Sequence, residues 1–354
     1  MADLSFKGVE IIGIASAVPE SIHDNRELTS LLPEDELEKV ISNIGVRQRR
    51  IASKSTTSVD LCIAAAKHLL GEMKVEKDEI NMVLFLSQTP DHIIPASSPF
   101  IQNELGLPTS TACIDLSLAC SGYVYALSTA FSYAQTSGVG KVLLLVGEVF
   151  SKIVSREDRV NWPLYGDGGT ATLISRTINN DKKSTFSLFS DGSGFKSILI
   201  PDGGSRLPIS KESFCVTERE NGNRRSDTQL YMDGLEVFNF TLRNVPKSVK
   251  HQLNVRGISI DDIDRFYFHQ ANQFMIDFFV KKLKIDSTKV YNSISKFGNV
   301  SSASIPITMS QNVGAIEDER IMLIGFGAGL SWASAIIDVG SLSVKGCINY
   351  AGNE

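Results

Sequence analysis

The chain has 354 residues, of which 42% are hydrophobic and 21% charged, and its formal net charge is −5. These values are ordinary for a globular protein with a large core, in two domains or two halves. The net negative charge gives no electrostatic case for nucleic-acid binding, which needs a concentrated basic face. No stretch of about 18 uninterrupted apolar residues predicts a membrane span, and the N-terminus lacks the pattern of a signal peptide, so we expect a cytoplasmic protein.

The five cysteines are widely spread, and no two of them have the CxxC spacing. This pattern predicts neither a zinc site nor a disulfide framework, and it fits a reducing compartment. We therefore expect no bound metal.

Predicted strands and helices alternate along the chain, which is typical of an α/β architecture with covered sheets. Pro246 is expected to break or kink the helix in which it lies. The elements, in chain order, are helix 57–73, a strand in 75–86, helix 121–136, strands 141–148 and 166–174, an irregular excursion 176–230, helix 234–254, a strand in 258–269, helix 272–283, and strands 320–327 and 325–337.

Several of these segments occur twice. Residues 75–86 resemble 258–269, and residues 141–148 resemble 320–327, at a spacing of about 180 residues in both cases. Apolar strands can be similar by chance, but the constant spacing favours an internal duplication. We therefore predict an N-terminal half, 1–175, and a C-terminal half, 176–354.

Cys120 lies between a short apolar segment and a long one. This position predicts that its sulfur is at the start of a buried helix, where free N–H groups and the helix dipole favour the nucleophilic thiolate. The alternative is an inert buried thiol, which is the common state of a free cysteine. The adjoining Ser121-Gly122 and the two residues considered next favour a nucleophile.

His269 ends a predicted strand, and Asn299 lies in a turn before a run of small residues. Taken singly, each has a purely structural interpretation, as a core histidine and as a turn or cap asparagine. If the halves repeat, however, Asn299 corresponds to Cys120, and the two helix starts face a common point. A thiolate, an imidazole and an amide donor then converge, as acyl transfer requires.

The glycine-rich stretch 325–329 follows a strand and precedes another strand, so it does not have the context of a dinucleotide fingerprint. A tight turn that directs N–H groups at an oxyanion is the better interpretation.

With these motifs together, the sequence resembles the thiolase superfamily, and within it the β-ketoacyl-acyl-carrier-protein synthase III family. The resemblance covers nearly the whole chain, and the order of the Cys, His and Asn motifs makes it specific. Besides the cysteine motif, it rests on IIGIASAVPE (11–20), IGVRQRRIA (44–52), GDGGTA (166–171), HQAN (269–272), FGNVSSASIP (297–306) and GFGAGLSW (325–332).

The resemblance implies a five-layered αβαβα fold of two similar halves and a homodimer. It implies that Cys120 takes an acyl group from an acyl thioester, usually of coenzyme A. His269 and Asn299 then stabilise the enolate formed when malonyl-acyl carrier protein loses CO₂, and backbone N–H groups of Cys120 and Ala328 hold the oxyanion. Phe326 matches an aromatic residue beside the site, and no cofactor is implied.

Other positions depart from the family pattern or match it in part. The resemblance implies substrate-binding roles for Arg159, Ile94, Phe238 and Asn272, and carrier-docking roles for Lys281 and Lys282. Lys39 replaces a tryptophan that stacks on the adenine of coenzyme A, Phe274 and Asn239 replace basic residues for carrier docking, and Ile94 replaces a phenylalanine that reaches the partner subunit's acyl pocket. The acyl donor and its carrier therefore stay open.

Two other functions remain as alternatives. An acyltransferase of the same fold would form an ester or amide without decarboxylation, with His269 as the general base. Asn299 disfavours this hypothesis, since a basic histidine gains from a carboxylate partner. A catalytically silent partner subunit would typically have lost the cysteine, whereas Cys120 is present.

Overall fold

The computed structural model describes residues 2–177 and 181–352. The strands are β1 (Ala2–Lys7), β2 (Val9–Pro19), β3 (Ile22–Asp24), β4 (Gln48–Arg50), β5 (Ile80–Leu86), β6 (Ala112–Leu116), β7 (Lys141–Val149), β8 (Asp167–Arg176), β9 (Lys183–Ser190), β10 (Ile198–Leu199), β11 (Thr217–Glu218), β12 (Arg224–Arg225), β13 (Tyr231–Met232), β14 (Arg265–Phe268), β15 (Val290–Tyr291), β16 (Gly314–Glu317), β17 (Arg320–Gly327), β18 (Ser331–Asp338) and β19 (Ser341–Tyr350). The α-helices are α1 (Glu34–Ile44), α2 (Ser58–Met73), α3 (Ser98–Glu104), α4 (Gly122–Ala134), α5 (Gly234–Arg256), α6 (Gln273–Leu283), α7 (Ile294–Phe297) and α8 (Ser304–Met309).

Two large sheets contain most of these strands. The first has the order β16-β19-β2-β8-β7-β5-β6, and the second has the order β1-β9-β18-β17-β14-β15. Five strands of each sheet follow one another in the same way, since β2-β8-β7-β5-β6 corresponds to β9-β18-β17-β14-β15. An equal strand order in both sheets is what a duplicated unit produces.

Strands also pass between the two sheets. The N-terminal β1 pairs with β9 of the second sheet, while the C-terminal β19 pairs with β2 of the first. The division of the chain at 175/176 therefore stays a prediction, because each sheet borrows at least one strand from the other end of the chain.

Helices α4 and α8 lie between the two sheets, α2 covers the outer face of the first, and α5 packs on the outer face of the second together with α6. The predicted five-layered αβαβα arrangement is confirmed. Helix α4 is apolar nearly all round, with Val124, Leu127 and Phe131 all fully buried, because both of its sides face a sheet. No helix within 2–177 or 181–352 combines the length and the apolar character needed to cross a bilayer.

Two predictions about individual elements were wrong. The supposedly irregular 176–230 contains β9, which pairs with β1 on one side and β18 on the other. Its Ser and Thr residues concealed a strand that is buried along much of its length. The predicted break at Pro246 is also wrong: α5 runs unbroken through the proline, because buried residues on both sides of it, such as Val245 and Val249, keep the helix packed on the second sheet.

Candidate active site

Cys120 lies two residues before α4, next to the N-cap residue Ser121, and only 7% of its surface is exposed. The start of the helix is held against β18 by a 2.7 Å hydrogen bond between the hydroxyls of Ser121 and Ser331. A second hydroxyl, that of Ser301, lies 3.6 Å from the Cys120 sulfur. The Cys120 sulfur is thus fixed between the two sheets, at the predicted helix start.

The structure contradicts the expectation that the helix start favours the thiolate form of Cys120. Burial raises the pKa of Cys120 to about 11, and the nearby Glu148 carboxylate acts in the same direction. Hydrogen bonds from Ser301 and the Ala328 backbone oppose the shift, but they do not cancel it. Removal from water therefore outweighs the helix start, and the resting sulfur is a protonated thiol.

His269 directly follows β14 and is 1% exposed. Its backbone N–H donates to the Ile324 carbonyl at 2.8 Å, and its ring lies edge-on to Phe326 with the ring centroids 5.3 Å apart. Burial lowers the pKa of His269 to about 3, so the ring is neutral at pH 7. Its buried Nδ1 has no hydrogen-bond partner among the described residues.

Asn299 is 4% exposed and forms a parallel bridge with Tyr165. Its backbone N–H donates to the Leu164 carbonyl at 2.9 Å. The side-chain Oδ1 accepts the backbone N–H of Ser301 at 2.8 Å. This bond fixes the orientation of the amide and leaves its NH₂ group available as a donor to a ligand.

The turn between β17 and β18 approaches the sulfur closely. A Cβ placed on Gly327 would lie 2.5 Å from the Cys120 Cβ and 2.9 Å from its Sγ, so only glycine fits. The next residue, Ala328, brings its backbone to the sulfur. This is the place where the sequence predicts an oxyanion-binding turn.

Two cavities meet at Cys120. The first, of about 190 Å³, brings together Cys120, His269 and Asn299, and Phe238, Asn272 and Phe326 also line it. The second, of about 160 Å³, has a mostly apolar wall. It is lined by Gln88, Ala119, Cys120, Phe150, Ile153, Tyr165, Ile198, Leu199, Ile200, Leu230 and Ala328. The sulfur therefore has the polar side chains of His269 and Asn299 on one side and an apolar compartment on the other.

The remaining predicted residues lie further out. Arg159 is exposed, next to Val160 on the wall of the first cavity, and its backbone N–H donates to Asn223 Oδ1 at 2.9 Å. Lys281 and Lys282 are exposed in the last turn of α6.

Ile94 is 85% exposed in a loop and lines neither cavity of the single chain. Its predicted reach into a partner subunit's pocket is not a feature of one chain alone.

Sequence reasoning missed a buried carboxylate beneath the site. Burial raises the pKa of Glu148, at the end of β7, to about 7. Its Oε1 accepts from the Ser302 hydroxyl at 2.7 Å, and its Oε2 accepts from the Thr89 hydroxyl at 3.0 Å. The sequence does show one acidic residue, Glu148, in the apolar run 141–150, which indicates a buried carboxylate. The run does not show which residues hydrogen-bond to that carboxylate.

The arrangement can form and hold an acyl-thioester on a buried sulfur, with neutral donors facing the same space. Two family models match the chain: 3-oxoacyl-[acyl-carrier-protein (ACP)] synthase III over residues 114–192, and its C-terminal model over residues 253–339. A β-ketoacyl-[acyl-carrier-protein] synthase III from Rhodopirellula baltica is 33% identical, with 94% of this chain and 99% of that protein covered. The chain belongs to the β-ketoacyl-acyl-carrier-protein synthase III family.

Two solved structures have a similar fold. A 3-oxoacyl-(acyl-carrier protein) synthase from Burkholderia xenovorans has a TM-score of 0.90 and 35% identity, with 99% of each chain covered. The priming β-ketosynthase of the R1128 polyketide biosynthetic pathway has a TM-score of 0.80 and 26% identity, covering 94% of this chain and 97% of its own.

Proposed function

We propose that this synthase III family member is a condensing enzyme that joins an acyl group to a malonyl-derived two-carbon unit. The observation that carries the proposal is the meeting of two cavities at one sulfur. The cavity with His269 and Asn299 fits a malonyl thioester, and the apolar cavity fits the acyl chain. Coenzyme A or carrier-protein thioesters and malonyl-acyl carrier protein are the substrates, and the reaction needs no cofactor.

In the first step, the Cys120 sulfur attacks the carbonyl carbon of an acyl thioester. The tetrahedral oxyanion accepts hydrogen bonds from the backbone N–H groups of Cys120 and of Ala328, which lies on the turn that approaches the sulfur. The old thioester bond breaks, and the departing thiol carries away the proton of Cys120. The acyl chain then occupies the second cavity, where apolar side chains exclude water.

In the second step, a malonyl thioester enters the first cavity and its bond to the carboxylate carbon breaks. CO₂ leaves, and the electron pair remains as a thioester enolate whose oxygen takes hydrogen bonds from His269 and Asn299. The enolate carbon attacks the acyl carbonyl, and the Cys120 sulfur departs and regains a proton from solvent. The product is a 3-ketoacyl thioester.

The neutral state of His269 supports this role over that of a general base. A base needs a pKa near the working pH and an orienting partner, whereas burial lowers the pKa of this ring to about 3. Its Nδ1 contacts no carboxylate in the part of the chain that the structure describes, and a backbone hydrogen bond of the ring with Ser301 does not offset the effect of burial. A neutral N–H donor is the function that remains for the ring, which disfavours ester or amide formation by base catalysis.

The carrier is proposed to dock where the first cavity opens. Lys281 and Lys282 offer positive charge at the end of α6, and Phe274, 56% exposed, adds an apolar surface against Phe238. Arg159 adjoins Val160 on the wall of the first cavity, and its proposed role is to contact the polar end of a coenzyme A thioester.

A homodimer is proposed to form at the β6 edge of the first sheet. Ile93 and Ile94 are 90% and 85% exposed. The backbone N–H of Ser97, further along this loop, donates to Asp115 on the edge strand β6. An apolar loop beside an unpaired strand edge suits pairing with a second copy of the chain.

The proposal is tested by mixing the purified enzyme with acyl thioesters and then with ¹⁴C-carboxyl malonyl-acyl carrier protein. Mass spectrometry should show one added acyl group on wild type and none on Cys120→Ala. Addition of the malonyl thioester should release labelled CO₂ and remove the acyl group as a 3-ketoacyl product. Acylation of Cys120→Ala, or acyl transfer to an alcohol or amine without CO₂ release, would overturn the proposal.

A further inference from the structure

The Glu148 carboxylate is fully buried, and every described partner is a hydrogen-bond donor. Oε2 accepts from the backbone N–H of Gln88 at 3.1 Å and from the hydroxyls of Thr89 at 3.0 Å and Ser87 at 3.4 Å. Oε1 accepts from the hydroxyl of Ser302 at 2.7 Å. One side chain thus connects the ends of β7 and β5 to the loop before α8.

The loop that Glu148 reaches through Ser302 is the one that carries Asn299. Ser301 has a φ of +46°, in the left-handed region that a residue with a Cβ rarely adopts. Such a conformation is maintained only when the surroundings impose it. The buried bond from the Ser302 hydroxyl to Glu148 restrains the chain directly after Ser301.

The conformation of Ser301 in turn orients the amide of Asn299. The Ser301 N–H donates to Asn299 Oδ1 at 2.8 Å, and this bond occupies the amide oxygen, so the NH₂ group is the donor left for the cavity that Asn299 lines. The start of α4 has a separate anchor, the hydroxyl pair Ser121 and Ser331. The main anchor of the nucleophile therefore differs from that of the amide donor, although the Ser301 hydroxyl, 3.6 Å from the Cys120 sulfur, also contacts the nucleophile.

We propose that Glu148 is a positioning residue that acts through Ser302 to hold Asn299 in its donor orientation. The inference rests on the proposed function, because it assigns Glu148 to the malonyl half of the reaction. Loss of the Ser302–Glu148 bond weakens enolate stabilisation, whereas acylation of Cys120, which uses the anchored helix start and the Gly327 turn, continues.

The test separates the two half-reactions on the full-length enzyme. Ser302→Ala is compared with Ser310→Ala, which removes another fully buried serine hydroxyl, bonded to Ser16 at 2.6 Å, without touching the Glu148 cluster. Each variant is first acylated and followed by mass. The isolated acyl-enzyme is then mixed with a malonyl-carrier thioester, and the loss of its acyl group is timed.

We expect Ser302→Ala to acylate at the wild-type rate and to lose its acyl group about 10- to 100-fold more slowly, which is less than the full loss of a donor. Ser310→Ala should match wild type in both steps. The inference is overturned if Ser302→Ala condenses at the wild-type rate, or if both of its half-reactions slow equally. A wild-type acyl-enzyme that malonyl thioester does not consume would instead overturn the proposed function.

Glu148→Gln gives a second, nearly isosteric test. The amide oxygen can still accept from the Gln88 N–H, but its NH₂ group then faces Ser302, so the Ser302 hydroxyl loses the oxygen to which it donates and the link becomes weaker. We expect the same selective slowing of the condensation step, while acylation is at least as fast as in wild type, because the Glu148 charge that helps to raise the pKa of Cys120 is gone. Equal loss in the two steps would show a general structural role and overturn the inference.

Discussion

Gly327→Ala tests whether the close approach of the β17–β18 turn sets the position of the nucleophile. The new Cβ would lie 2.5 Å from the Cys120 Cβ, where carbon atoms at best separation are about 3.5–4.0 Å apart. Strand β17 cannot easily retreat, because Gly327 is paired with Ser331 of β18. The strain therefore displaces the sulfur by about 1 Å, which is roughly the difference between these two distances.

A misplacement of about 1 Å costs on the order of 10²-fold in rate, and overpacking of this kind costs about 1–3 kcal/mol of unfolding free energy. We expect Gly327→Ala to lower the acylation rate of Cys120 by about that factor and to destabilise the fold by that amount. Timed mass spectra and urea unfolding measure the two effects. Gly204→Ala is the control, since its Cβ would meet no atom within 4 Å. A Gly327→Ala enzyme with wild-type acylation and stability would refute the steric argument.

Three further predictions follow from the buried groups and the exposed loop. Burial lowers the pKa of His269 from 6.5 to about 3. Below pH 6.5 the unfolded chain therefore binds a proton that the folded chain does not bind, and the free energy of unfolding decreases as the pH falls. Relative to His269→Asn, wild type should lose about 2 kcal/mol between pH 6.5 and pH 5 in urea unfolding, and a constant difference would contradict the shift. Because the pKa of Cys120 is raised to about 11, its alkylation by iodoacetamide, followed by peptide mass, should rise about tenfold per pH unit from pH 8 to pH 10, and a plateau below pH 9 would disagree. Ile94→Glu should shift a dimer toward monomer in analytical ultracentrifugation, while Val313→Glu, 75% exposed next to β16 at the far edge of the same sheet, should leave the assembly unchanged.

The local patterns of the sequence predicted a large part of the architecture. Continuous apolar strands, the apolar helix after Cys120 and the repeated spacing indicated covered sheets and duplication, because side-chain periodicity reports burial directly. The cysteine, histidine and asparagine motifs also indicated a common site. Each of the three residues lies next to the start or the end of a predicted helix or strand, and the internal repeat suggested that these ends face one another. Strand β9 was missed, because Ser184, Thr185 and Ser187 look polar although pairing on both sides buries them.

What the chain determines by itself is therefore which segments become strands and helices and which residue types can react. Tertiary packing alone decided the rest, because burial and electrostatics depend on residues far apart in the chain. Only the packing of two sheets around Cys120 raises the pKa of its thiol against the effect of its helix. Only in the folded chain does the Ser302 hydroxyl, 154 positions from Glu148, come within 2.7 Å of Glu148 Oε1. Folding also brings Phe150 and Leu230 together in the wall of the apolar cavity behind the sulfur.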